Sequence, residues 1–169
     1  NHSFSETVYF DVIRKKTAAL FAACTEAAAY SVGVSEEEVK LARLLGEYIG
    51  ICFQIKDDIF DYFDSKEIGK PTGNDMLEGK LTLPVLYALN RANDNQAAEI
   101  ALKVKEGTAT LAEIARLIAF TKENGGIEYA VRTMNAYKQK AFGLLASLPD
   151  SAICVALRSY LDYVVDREK

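Results

Sequence analysis

The sequence predicts an all-α helical bundle, and three observations carry that expectation. Apolar residues recur at three- and four-residue spacing along almost the whole chain. No stretch sustains the two-residue alternation of a half-buried strand. Half of the 169 residues are apolar, enough to bury one sizeable core. No internal repeat, low-complexity tract or long linker marks a second domain, so residues 1–169 are expected to belong to a single one.

The elements follow in order. Ser3 or Ser5 caps a first helix reaching about Ala29, with Glu6 three residues after Ser3 as in a capping box. Its alanine-rich middle suits close packing. Ser35, followed by three glutamates, opens a second helix that runs to about Asp64. Between Ser65 and Gly79, the breakers Gly69, Pro71, Gly73 and Gly79 predict a loop. Pro84 sits at the start of the next periodic run, where proline is tolerated, so a helix is expected from about Thr82 to Ala92. Shorter helices cover about Asn95–Lys105 and Leu111–Glu123, ended by Gly107 and Gly125-Gly126. Two final helices follow, broken at Pro149.

Composition excludes several functions. The net charge is −4 with both signs interspersed, which leaves no basic stripe for nucleic acid and no polybasic membrane face. No apolar run approaches the ~18 residues of a membrane span, and the N-terminus lacks the pattern of a signal peptide, so a cytoplasmic location is expected. Cys24, Cys52 and Cys154 are odd in number and lie in apolar surroundings, which fits reduced core thiols better than disulfides. The single histidine, His2, lies in a polar terminal stretch, which excludes a histidine-based triad or zinc site.

The chemistry concentrates at the end of the second predicted helix. Asp57 and Asp61 are one turn apart, and Asp58 lies about 100° round from Asp57, toward Gln54. Gly50, Gln54 and the three aspartates form a polar stripe on a helix that is otherwise apolar. Carboxylates this close oppose one another's ionisation unless a cation joins them. Magnesium suits the arrangement, because it prefers oxygen ligands and completes its shell with waters and substrate phosphate oxygens. Lys16, Lys56, Lys70 and Lys80 are candidates to meet phosphate directly, and Gly69, Gly73 and Gly79 allow backbone to approach a ligand.

The string GEYIGICFQIKDDIFD, residues 46–61, closely resembles the second aspartate-rich motif of the trans-isoprenyl (polyprenyl) diphosphate synthases. GKPTGND (residues 69–75) and EGKLTLP (residues 78–84) resemble that family's downstream signatures, and IRKKTAALF (residues 13–21) resembles its upstream Lys-Thr motif. KTAALF (residues 16–21) and FQIKDD (residues 53–58) resemble the wording of long-chain bacterial, octaprenyl-type enzymes. The resemblance implies the C-terminal portion of a bundle of the isoprenoid synthase type, in which two aspartate-rich motifs face each other across the mouth of an apolar cavity. Only the second motif is in this sequence; the first is expected before residue 1, together with the residues that usually set product length.

The roles implied by the resemblance are these. Asp57 and Asp61, assisted by Asp58, hold magnesium against an allylic prenyl diphosphate, while Lys16 and Lys70 neutralise its oxygens. Thr17 and Gln54 shape the pocket at the reacting carbon, with Asp75 and Lys80 supporting the loop and diphosphate. Diphosphate departs, isopentenyl diphosphate attacks the allylic cation and a proton is lost. The family is commonly homodimeric. A noncatalytic diphosphate-binding or partner subunit is the alternative, and a plain helical interaction protein is a third reading; terpene cyclases and squalene-type condensation fit the glycine-lysine signatures less well. With one motif of two, the 169 residues alone are expected to lack synthase activity.

Overall fold

The computed structural model describes residues 4–63, 72–148 and 152–167, with side chains for all but 152 and 153. Every regular element among them is helical: α1 (Glu6–Ile13), a π-helical turn (Arg14–Ala18), α2 (Ala19–Ser31), α3 (Glu36–Phe60), α4 (Asn74–Leu77), α5 (Leu83–Arg91), α6 (Asn95–Glu106), α7 (Leu111–Glu123), α8 (Gly126–Ala146) and α9 (Ala152–Asp166). His2, Ser3, Gly69, Lys70, Pro71 and Pro149, which the sequence singles out, lie outside the described residues.

Local chemistry explains most boundaries. Ser5 accepts from the Val8 amide at the start of α1. Ser35 and Glu38 form a reciprocal cap at α3, and Thr110 and Glu113 do the same at α7. The Asp94 side chain accepts from the Gln96 and Ala97 amides to start α6, and Gly107, at φ +71°, ends it. Pro84 lies in the first turn of α5, where its missing N–H costs nothing.

Three expectations about element boundaries change. The first predicted helix is interrupted at Arg14–Ala18, where the Ala19 amide reaches back five residues to the Arg14 carbonyl. The second ends at Phe60 instead of about Asp64: Tyr62 and Phe63 N–H reach back only three residues, to the Ile59 and Phe60 carbonyls, and the Asp61 carbonyl accepts from Gly73 N–H at 2.9 Å. The predicted loop of residues 65–79 contains the short helix α4.

The chain divides into two compact units. Among the described residues, one comprises 4–9, 57–63 and 72–131; the other comprises 10–56, 132–148 and 152–167. In the first, α7 packs on α5 and α6, and the core joins Tyr62 and Met76 to Val85, Leu89, Val104, Leu117 and their neighbours. In the second, Leu45, Ile49, Ala141, Leu145, Cys154 and Leu161 form the core, with Phe21 and Tyr48 packed against it. Here α3 approaches α2 and the π-turn at glycines: a Cβ on Gly50 would lie 2.6 Å from Ala18 Cα, and one on Gly46 would lie 2.5 Å from the Phe21 carbonyl oxygen. Cys52 and Cys154 are buried thiols as expected. Cys24 is exposed, a correction that follows from helix register, since Ala22 turns inward and Cys24 lies about 200° round from it.

Candidate functional site

In the second unit, the Lys16-Thr17 pair sits on the π-turn, a local widening that displaces side chains from ordinary helical register. Lys16 is exposed. Thr17 is half-buried, and its hydroxyl donates to Gln54 Oε1 at 2.7 Å. The glycine contacts of α3 with Ala18 and Phe21 make this short bond reachable, because bulkier residues would hold the backbones apart. The structure therefore joins two residues that the sequence separates by 37 positions.

In the first unit, the three aspartates have three different environments. Asp57 is partly exposed. Asp58 is buried and accepts a 2.6 Å hydrogen bond from the Tyr9 hydroxyl. Asp61 follows the last residue of α3, and its two carboxylate oxygens accept from the Asn74 and Asp75 amides, each at 3.0 Å. Within the expected polar stripe the three thus differ, with Asp58 buried and Asp57 and Asp61 partly exposed. Burial, then the charge of Asp58 and the hydrogen bond to it, raise the Tyr9 hydroxyl well above the ordinary phenol range.

Tyr9 is the residue that sequence reading missed. It lies 49 positions from Asp58 on a short amphipathic helix, where a tyrosine carries no signal beyond packing. Lys80, among the predicted phosphate ligands, is exposed and ion-paired with Glu78. Donating a hydrogen bond to the Glu78 carboxylate raises its ammonium above the ordinary lysine range. Its backbone is held by a helix-ending motif: Gly79 N–H donates to the Met76 carbonyl at 3.0 Å and Lys80 N–H to the Asp75 carbonyl at 2.8 Å. Asp75 thus lies one bond from Asp61 on one side and one bond from Lys80 on the other.

Among the described residues, no group of three or more carboxylate, thiol or imidazole side chains is gathered closely enough to cage a metal ion. The donor set nevertheless fits magnesium in its usual mode, with one or two carboxylates and the remaining positions filled by water and phosphate oxygens. Asp57 and Asp61 are partly exposed oxygen donors near one helix end.

With every regular element among the described residues helical, and with this acidic helix end and glycine-lysine turn, the chain falls in the class of all-α isoprenoid synthases. The chain belongs to the polyprenyl synthetase family, which it matches over residues 1–121. It is 37% identical over 164 residues to the octaprenyl diphosphate synthase of Haemophilus influenzae, covering 96% of this chain and 50% of that protein. The crystal structure of geranylgeranyl pyrophosphate synthase from Bacteroides thetaiotaomicron superposes with a TM-score of 0.94 at 80% identity, over 99% of this chain and 55% of that one. A polyprenyl synthase from Caulobacter crescentus, crystallised with calcium and isoprenyl diphosphate, superposes with a TM-score of 0.85 at 34% identity, over 96% of this chain and 50% of that one. The chain spans about half the length of the relatives it matches, which fits the expected C-terminal portion. The likeness also extends well beyond Pro84, where the recognisable motifs end.

Proposed function

We propose that these 169 residues form the diphosphate-binding portion of a trans-polyprenyl diphosphate synthase that condenses isopentenyl diphosphate with an allylic prenyl diphosphate by magnesium-dependent, head-to-tail elongation. One observation carries the reading: the acidic end of α3 and the Gly73–Asp75 turn, two separate sequence motifs, are hydrogen-bonded to each other. The calcium and isoprenyl diphosphate of the Caulobacter structure support a hard divalent cation in the same chemistry.

Asp57 and Asp61 would hold magnesium, with the Asp58 carboxylate adding negative charge from its buried position. Magnesium, when bound, supplies positive charge that stabilises the departing diphosphate. Lys16, Lys70 and Lys80 neutralise diphosphate oxygens as the allylic carbon–oxygen bond breaks; Lys70 lies outside the described residues. The Thr17 hydroxyl, by donating to Gln54 Oε1, fixes the glutamine side chain and leaves oxygen lone pairs available to the developing allylic cation. The double bond of isopentenyl diphosphate then forms the new carbon–carbon bond, and loss of a proton restores an alkene. The named relatives make geranylgeranyl and octaprenyl products, and the proposed elongation step is common to both. The full-length protein is proposed to act as a homodimer in the cytoplasm.

Titration calorimetry with inorganic pyrophosphate tests the reading. Binding is expected to require magnesium, to vanish in chelator, and to weaken by about tenfold or more in Asp57→Ala, the equivalent of losing at least ~1.4 kcal/mol. The same preparation is expected to yield no elongated product from allylic and isopentenyl diphosphates. Binding that ignores both magnesium and Asp57 would overturn the assignment.

A further inference from the structure

We propose that Asp61 is a positioning residue that clamps the Gly73–Asp75 turn, whether or not metal is bound. Three consecutive backbone amides converge on this one residue. Gly73 N–H donates to its carbonyl at 2.9 Å, and Asn74 and Asp75 N–H donate to its two carboxylate oxygens at 3.0 Å.

The need for such a clamp follows from α4. A helix of four residues, Asn74–Leu77, is far too short to support itself, and its first amides lack intrahelical acceptors. The residue before it would normally supply a capping side chain. Here that residue is Gly73, at φ +80°, and a Cβ there would lie 2.9 Å from both Ile114 Cγ2 and Ile118 Cδ1. Close packing against α7 thus excludes any capping side chain at position 73, and the acceptor comes from the end of α3 instead.

The far end of α4 transmits the constraint. Asp75, held at its amide by Asp61, accepts from Lys80 N–H through its carbonyl, while buried Met76 anchors the turn in the core. Removing the carboxylate would loosen the frame that carries Asp75 and Lys80. A carboxylate offers about four acceptor sites, so two amide bonds leave capacity for a cation. The bearing of the clamp on diphosphate binding rests on the function proposed above; the clamp itself does not.

Amide hydrogen exchange read by mass spectrometry, in chelator and without diphosphate, tests the proposal on wild type, Asp61→Ala, Asp61→Asn and Asp57→Ala. In Asp61→Ala, amides of residues 73–77 are expected to exchange at least about tenfold faster, while those of α5 and α7 keep their protection. Asp61→Asn, which retains one amide acceptor oxygen, should fall between, and Asp57→Ala should match wild type. Equal exchange at 73–77 in wild type and Asp61→Ala, or the same acceleration in Asp57→Ala, would overturn the clamp. Should Asp61→Ala loosen α5 and α7 as well, Asp61→Asn decides: local acceleration supports the proposal and its absence refutes it. With neither metal nor diphosphate present, the outcome is independent of whether pyrophosphate binds in the calorimetric test.

Discussion

Tyr9 and Asp58 form a buried pair whose two members face different penalties. A carboxylate at 4% exposure must have donors, and the Tyr9 hydroxyl supplies one at 2.6 Å, the short length typical of a charge-assisted bond. The tyrosine in turn stays protonated, because burial and the adjacent charge both oppose its ionisation. Tyr9→Phe preserves the ring's packing but removes that donor. It is expected to destabilise the protein by about 1–3 kcal/mol, read as a lower urea midpoint with an unchanged slope. Asp57, partly exposed, should tolerate alanine with much less loss of stability in the same assay. The acidic motif thus combines residues of unequal structural weight, and the sequence pattern displays them as equals.

At the scale of elements, the packing of α2 and the π-turn on α3 depends on the absence of side chains. Gly46 and Gly50 lie one turn apart on α3, and the facing surface is equally lean, with Ala18 and Ala22 buried. Gly50→Ala would place a methyl group 2.6 Å from Ala18 Cα, a backbone atom that has no rotamer by which to yield. The helices would have to separate, at a cost of about 1–3 kcal/mol despite alanine's better helix propensity. Thermal unfolding should register the loss. The Thr17–Gln54 hydrogen bond, at 2.7 Å, has little slack and would lengthen with the separation. An alanine-rich first helix and a glycine pair in the second were both visible in the sequence, but not their mutual alignment.

At the scale of the whole molecule, each compact unit has its own apolar core, and the thiol of Cys52 illustrates how burial couples to pH. Burial, only partly offset by the positive charge of Lys138, pushes this thiol up to about 12, against ~8.5 for an exposed cysteine. The folded state therefore retains a proton that the unfolded state releases above pH ~8.5. Stability from this group is fully present below that pH and is lost as pH rises toward 12. Between pH ~8.5 and ~9.5, short of the pH ~10 at which exposed tyrosines ionise, the loss should reach about 1 kcal/mol. Urea midpoints collected across that window should show the decline in wild type and a flatter profile in Cys52→Ala. The helical class, several of the caps and the aspartate, glycine and lysine motifs could be read along the chain, because periodicity, capping and turn chemistry act over a few residues. That Asp58 meets Tyr9, that α3 stops at Phe60 and that Asp61 closes the turn before α4 emerges only in the folded chain. Those outcomes depend on hydrogen-bond partners 12 to 49 positions away, chosen by how the chain packs and not by any local preference.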